Sequence, residues 1–528
     1  MSVLKTLEEL FVKGAISRRE FISRTAALGL LAAVSPSLLP GPAGAETPQK
    51  GGRLRLGVSG GSTTDSLDPA AITDIMMQLL IYGQLGNSLV EIDHENKPVP
   101  ELAESWEASP DAKEWTFRLR KGVEFHNGKT MDADDVIFSI NHHRGEESKS
   151  AAKAIVKAIT DVRKDDKNTV TFILEDGNAD FPYIMSDYHL CIMPAGGDVQ
   201  AGIFTGAYAL KDFEPGVRAF AVRNPNFFKP DRGHFDEVET IAISDVNART
   251  NALKTGQIDV MNRCERKTVH LLERTPNLQI LRQDGFKHYT FAMQCDMKPY
   301  ENNDVRLALK YAIDREQMVK TILRGYGTVG NDHPVSSANR FYAKDLPQRQ
   351  YDPDKAKFHL KKSGLKDAKF RLHTAEAAFV GAVDAGVLYR EQASKAGIDI
   401  EVVREPNDGY WSNVWLKKEW CAVFWGGRVT EDMMLSTAYA AGAPWNDTSW
   451  NNKRFNELLV SARAELDEAK RRNMYAEMQQ LIRDDGGVVV PMFAADLAAA
   501  TDKLGHGPLA VNWELDGFRG PERWWFKS

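Results

Sequence analysis

The chain has 528 residues, with 67 basic and 73 acidic side chains and a formal net charge of -6 at pH 7. This length predicts two or three domains at ~100 to 200 residues each. A mildly acidic, well-mixed charge argues against a nucleic acid or an anionic membrane as the partner. Cys191, Cys264, Cys295 and Cys421 are widely spaced and form no Cys-x-x-Cys pair, so they match no metal site and select no disulfide pairing.

Residues 1–45 have the features of an export signal. The hexapeptide Ser17-Arg18-Arg19-Glu20-Phe21-Ile22 precedes an apolar run over 26–34, and a small-residue site follows at 43–45. Paired arginines before such a run are typical of a twin-arginine signal, which the Tat export machinery reads. The run is shorter than the ~20 residues that a membrane-spanning helix needs. We therefore expect removal of 1–45, which carries five basic and three acidic residues, and a mature net charge of -8.

The rest of the chain alternates between strand and helix patterns. Period-two alternation predicts strands at 51–58, 89–93, 114–120, 160–162 and 169–174, and helical spacing predicts helices over 72–85 and from Asp132 past Ile140. Further on, predicted strands at 370–373, 398–403 and 421–425 alternate with helices at 382–396 and 409–417. This second half suggests an open α/β sheet, which binds ligands at the carboxyl ends of its strands.

The segment 420–450 is the strongest candidate for a binding pocket. A short apolar strand ends at Trp425, and Gly426-Gly427 follows where the backbone must bend or be closely approached. Polar and aromatic side chains come next, namely Arg428, Thr430, Glu431, Asp432, Tyr439, Trp445 and Trp450. Bare backbone, fixed charge and flat apolar walls are what a small-molecule pocket needs. A strand followed by a solvated loop is the alternative interpretation.

Several longer motifs occur in a fixed order along the chain. They are PELAESW at 100–106, FRLRKGVEFHNG at 117–128, DADDV at 132–136, TGAY at 205–208 and DVRLALKYAIDR at 304–315. Together they resemble the family 5 solute-binding proteins of peptide-type ABC importers, over nearly the whole mature chain. The resemblance implies an α/β, two-lobed periplasmic binding protein fold (type II, cluster C) with an extra inserted α/β domain and a hinge between the lobes.

The same resemblance implies a domain division. Lobe one takes 46–88, 196–291 and 488–528, the inserted domain takes 89–195, and lobe two takes 292–487. Two crossovers between lobes would form the hinge, and ligand would be held as the lobes close.

The function implied is that of a periplasmic substrate-binding component that delivers a peptide or peptide-like solute, such as a dipeptide, to an ABC permease. We expect a monomer, no cofactor, no resident metal and no enzymatic activity. An opine, a polyamine-like or other small cationic solute, a metal complex or haem is the alternative ligand. A secreted hydrolase is disfavoured, since Gly57-Val58-Ser59-Gly60-Gly61 fits G-x-S-x-G but no helix follows it.

The resemblance also suggests site residues. In dipeptide-binding relatives a Trp-x-Gly strand end precedes an Asp-Pro-Asp whose carboxylate holds the ligand's α-ammonium, and Trp425, Gly427 and Asp432 match with a one-residue shift. Asp432 is the first choice and Glu431 the second, while a helix N-cap is the structural alternative for either. The arginine that pairs with the ligand's carboxylate in those relatives is missing near 373–376. Arg428 or Arg404 could supply that charge; otherwise a more cationic ligand would suit the acidic side chains.

Overall fold

A computed structural model describes residues 48–365 and 369–528, so the predicted signal at 1–45 lies outside the described residues. Most strands of the described part belong to two large sheets and one smaller sheet. Two short pairs, β2 (Val90–Ile92) with β3 (Pro98–Pro100) and β20 (Leu504–Gly505) with β21 (Trp525–Phe526), complete the set.

The first large sheet has seven strands in the order β12-β19-β11-β1-β10-β9-β8. Its members are β1 (Arg53–Val58), β8 (Tyr208–Glu214), β9 (Arg218–Arg223), β10 (Glu237–Ala242), β11 (Val260–Met261), β12 (Leu278–Gln283) and β19 (Asp496–Thr501). Strand β1 runs parallel to β10 and β11, and the other pairings are antiparallel. Alternation in β1 buries Leu54 and Leu56, which places this face in an apolar core. The helices of this region include Val246–Lys254, Val269–Leu272, Glu514–Gly517 and Gly520–Arg523.

The smaller sheet lies within the region predicted as the insertion. Its antiparallel order is β4-β5-β7-β6, formed by β4 (Ala103–Ala108), β5 (Glu114–Leu119), β6 (Ile159–Asp166) and β7 (Thr169–Leu174). The predicted helix over Ala133–His142 is present, and Asp132 and Asp135 form its capping box. A second short helix spans Phe181–Ile184, and its Phe181 packs against Phe117 and Phe172 in a separate core.

The second large sheet is mixed, with six strands in the order β14-β18-β13-β17-β15-β16. They are β13 (His288–Met293), β14 (Gly327–Val329), β15 (Lys369–Thr374), β16 (Asp399–Arg404), β17 (Trp420–Trp425) and β18 (Val488–Ala494). Strand β15 is parallel to β16 and β17, whereas β13 is antiparallel to β17 and β18. The helices of this region are Asn303–Tyr311, Arg315–Thr321, Pro353–Ser363, Ala382–Ser394, Tyr410–Asn413, Glu431–Ala438, Lys453–Ala464 and Glu468–Asp485.

The chain crosses between the two large sheets twice. Residues 284–287 join β12 to β13, and Ala495 joins β18 to β19. Both crossovers lie a few residues from the predicted lobe limits at 291 and 488, because β13 and β18 pair within the second sheet. The division into lobes and the hinge itself stay predictions.

Two helix predictions differ from the structure. The 72–85 segment follows a 3-10 turn at Pro69–Ala71 and has a helical turn at Ile75–Met77 and a π-helix over Gln78–Leu85. Gly83 lies so close to the carbonyl oxygen of Phe518 that a Cβ there would be 2.3 Å from it, so packing against the C-terminal segment overrides the regular helical period. The 409–417 helix is confined to Tyr410–Asn413.

The cysteines and the helices bear on disulfide pairing and on membrane spans. All four cysteines are free thiols, so the pairing left open by the sequence is not formed. Among the helices of the described residues, none combines the length and the apolar character required to cross a membrane.

Candidate functional site

The Trp425–Gly426–Gly427 strand end lies beside the first crossover. A Cβ on Gly427 would come 2.2 Å from the Cβ of Phe286, so only glycine lets the two segments approach this closely. Gly426 is the opposite case, because a Cβ there would meet nothing within 4 Å. One glycine therefore permits close packing, and the other presents bare backbone to open space.

A cavity of ≈ 280 Å³ opens at this point, between the end of β17, the first crossover, the start of β19 next to the second crossover, and the C-terminal segment. Of the predicted residues, Gly426, Gly427 and Arg428 line it. The remaining walls come from Gln78, Arg263, Phe286, Lys287, Asp496, Val511, Asn512, Trp513, Glu514 and Phe518. None of these ten was found by sequence reasoning, since no local pattern distinguishes them from packing or surface residues.

Two ion pairs border the cavity. Arg263 Nη2 lies 2.7 Å from Glu514 Oε1, and Lys287 contacts the carboxylate of Asp496. Unlike Arg263 and Lys287, Arg428 contacts backbone carbonyl oxygens. Its Nη1 donates to the carbonyl oxygen of Gly427 at 3.0 Å and lies 3.5 Å from that of Gly426. Burial lowers the pKa of the Arg428 guanidinium.

Asp432 lies in the first turn of the helix Glu431–Ala438 and does not line this cavity. Its carboxylate accepts a hydrogen bond from Arg463 Nε at 3.1 Å and lies 3.4 Å from Ser436 Oγ. Burial raises the pKa of Asp432, and the Arg463 charge opposes that rise. An ammonium at Asp432 would have to compete with Arg463; the ligand role of Asp432 stays a prediction.

Glu431 and Thr430 also have partners within the chain. The Glu431 carboxylate accepts the backbone N–H of Phe341 at 2.6 Å, and burial raises the pKa of Glu431 to about 7. Thr430 Oγ1 accepts the N–H of Met433 at 3.3 Å, so Thr430 is the N-cap of this helix. The capping role given above as the alternative for Glu431 or Asp432 therefore belongs to neither acid. Both residues are buried.

The aromatic residues form a cluster behind the strand end. Trp425 Nε1 and Trp415 Nε1 each donate to Asp447 Oδ2 at 3.2 Å, and Asp447 is 2 % exposed. Trp445 is 47 % exposed and packs against Trp415 and Trp425 with ring centroids 6.0 and 6.2 Å away. Tyr439 is buried in the core of the second sheet. The sequence signal for Asp447 is a carboxylate between two tryptophans, Trp445 and Trp450.

Arg404 ends β16 as an exposed side chain and does not line the cavity. Because Arg404 does not line the cavity, its role in ligand binding stays a prediction.

Three carboxylates come together elsewhere, in a cluster that resembles a metal site. Ligand oxygens of Glu91, Glu101 and Glu522 lie within 4.8 Å of one another. Lys229 Nζ is 2.5 Å from Glu91 and also contacts Glu101, and Arg519 Nη1 is 2.6 Å from Glu522. Burial raises the pKa of Glu101 to about 7. Because protein cations already occupy these oxygens, we assign the cluster to a buried ion network that ties the C-terminal helix to residues 91–101.

Comparison with known proteins gives four informative matches. Residues 97–469 match the family described as bacterial extracellular solute-binding proteins, family 5 Middle. Di/tripeptide-binding protein 1 of Pseudomonas aeruginosa (strain UCBPP-PA14) is 25% identical over 496 residues, covering 86% of this chain and 91% of that protein. Heme-binding protein A of Haemophilus influenzae is 29% identical over 311 residues, covering 53% of this chain and 56% of that one. The solved structure of HbpA2 from Haemophilus parasuis superimposes with a TM-score of 0.80 at 20% identity, covering 90% of this chain and 100% of that chain.

Proposed function

Because the chain belongs to the bacterial extracellular solute-binding proteins of family 5, we propose that it captures a peptide or peptide-like solute between its two large sheets and delivers it to the membrane permease of an ABC transporter. The observation that carries this proposal is the position of the ≈ 280 Å³ cavity. Its walls come from the end of β17, from the first crossover, from Asp496 beside the second crossover and from the C-terminal segment. A solute in this cavity would touch both halves of the chain at once.

The proposed mechanism is a population shift. Residues 284–287 and Ala495 are the connections about which the two sheets could move. A solute that contacts both sides only when they are close together stabilises the closed arrangement by its differential affinity for that form. The permease would then recognise the closed arrangement.

The relatives are named for different solutes. One relative is named for di- and tripeptides and another for heme, and the sequence leaves an opine, a polyamine-like solute or a metal complex as alternatives. The cavity volume of ≈ 280 Å³ lies just below the ≈ 300 to 1,000 Å³ usual for ligand sites. This size favours a short peptide or a molecule of similar size as the solute.

The test is native mass spectrometry of the mature protein purified without added solute, followed by denaturing release of whatever is bound. We expect a bound small molecule, recovered chemically intact. Gly426→Leu should abolish it, because the new side chain would grow into the open space of the cavity. Gly507→Leu is the matched control, since a Cβ there also meets nothing within 4 Å and Gly507 does not line the cavity. Equal occupancy in both variants, or release of hydrolysed products, would overturn the proposal.

We also propose export by the twin-arginine route into the periplasm. Support comes from the Arg18-Arg19 pair and the apolar run after it. Replacing both arginines by lysine should retain the precursor in the cytoplasm. Unchanged export of that variant would contradict the proposal.

A further inference from the structure

The charges that line the cavity do not cancel. Three cations and two anions border it, and the anions are already used, with Arg263 paired to Glu514 and Lys287 to Asp496. Arg428 is the remaining cation. The lining therefore has a net charge of one positive unit, located at the end of β17.

Within residues 48–365 and 369–528, no carboxylate lies within ion-pair distance of Arg428. Its Nη1 contacts only the carbonyl oxygens of Gly426 and Gly427, which leaves Nε and Nη2 of the guanidinium without a partner in that part of the chain. Glu431 borders a small adjoining space together with Arg428, yet its carboxylate is bonded to the N–H of Phe341. A half-buried guanidinium without a counter-ion is costly, so the folded chain already bears an electrostatic cost that an anion would relieve.

A second polar group in the cavity also lacks a partner. Asn512 lines the same cavity and is 8 % exposed. Over the described residues, its buried Oδ1 receives no hydrogen bond. That oxygen is enclosed and lies against Gly517, where an added Cβ would come within 2.6 Å of it, so the amide nitrogen is the group of Asn512 that is left for a solute. Asn512 can therefore donate to the solute through this nitrogen.

We propose that the solute carries an anionic group, bound by the free edge of the Arg428 guanidinium and assisted by the Asn512 amide. The substrate class is thus an acidic or zwitterionic solute recognised first by its carboxylate or phosphate. Arginine suits this task because its planar fork matches both groups in a two-point contact. This inference rests on the proposed function, and it assigns the primary charge recognition to Arg428 rather than to Asp432.

The experiment separates a deproteinised extract of bacterial cells and spent medium on a strong anion exchanger at pH 9. The ligand-depleted mature protein is incubated with the retained fraction and with the flow-through, and bound species are identified by native mass spectrometry. Captured species are then titrated against wild type, Arg428→Gln, Arg428→Lys and the control Arg390→Gln, which removes an exposed arginine that does not line the cavity.

We expect capture from the retained fraction only, and the released mass then distinguishes a carboxylate from a phosphate. Arg428→Gln should weaken binding by about 30-fold or more, equivalent to ~2 kcal/mol, with a smaller loss in Arg428→Lys and none in Arg390→Gln. Capture from the flow-through, or unchanged affinity in Arg428→Gln, overturns the inference while leaving solute capture intact. Capture from neither fraction refutes the proposed function as well.

Discussion

The ionisation of Asp447 should lower the free energy of unfolding as the pH rises, and an isosteric substitution should remove this loss. Its carboxylate is 2 % exposed and is held by two indole N–H groups, without a cation in the described residues close enough to form an ion pair. Burial raises the pKa of Asp447 to about 7, and the hydrogen bonds from Trp415 and Trp425 oppose the rise only in part. The variant to make is Asp447→Asn, which keeps the shape and an acceptor oxygen but cannot ionise.

The sign of the effect follows from proton linkage. Between the ordinary aspartate pKa of about 3.9 and the raised value, the folded protein holds a proton that the unfolded chain has lost. As the pH rises through that window, the free energy of unfolding therefore falls by about 1.4 kcal/mol per pH unit. Because the slope flattens near the raised pKa, the loss for the native Asp447 is about 2 kcal/mol from pH 5 to pH 7 and approaches ~3 kcal/mol by pH 8, and Asp447→Asn does not share it.

The assay is urea unfolding of wild type and Asp447→Asn at pH 5 and pH 8, followed by circular dichroism. The variant should gain about 3 kcal/mol relative to wild type between these two pH values, whatever its offset at pH 5. Trp415→Phe removes one of the two indole donors and should move the titration upward in pH. An identical difference between wild type and Asp447→Asn at both pH values would refute the reasoning.

Three further outcomes are expected. Gly427→Val should lower the melting temperature, because the strand end can no longer approach the first crossover. Gly426→Val should leave the melting temperature within about 1 °C of wild type. Equal losses in the two variants would contradict the close-approach argument. Arg471 contacts the Asp180 carboxylate at 2.7 Å through both terminal nitrogens, so Asp180→Asn, which leaves Arg471 buried without that carboxylate, should lower stability by about 3 to 5 kcal/mol. The double variant Asp180→Leu with Arg471→Met should recover most of this loss. A loss in the double variant equal to the sum of its two single variants would argue against pairing. Asp432→Asn should lower stability by about 1 kcal/mol and leave solute affinity unchanged; weakened affinity in a calorimetric titration would restore its ammonium-binding role.

Much of the local architecture was readable from the sequence. The apolar run before the glycine pair predicted β17, and the Asp132 signal predicted the helix Ala133–His142, because alternation and capping depend on neighbouring residues alone. The ordered motifs also pointed to the family that residues 97–469 confirm. The helix over 72–85 was wrong in detail because Gly83 packs against a carbonyl more than 400 residues later, which no local period can register.

Only the tertiary structure decided how the candidate site is assembled. Asp432 looked like a ligand carboxylate, yet folding brings Arg463 to it from a later helix, and Asp447 gains its two indole donors in the same way. The sequence by itself determined that Arg428 follows a strand end and carries a charge. Among the residues that the structure describes, it has no counter-ion. That absence, and the cavity that Arg428 faces, depend on which distant segments pack beside the strand, because ion pairing and burial are properties of the folded surface rather than of the local chain.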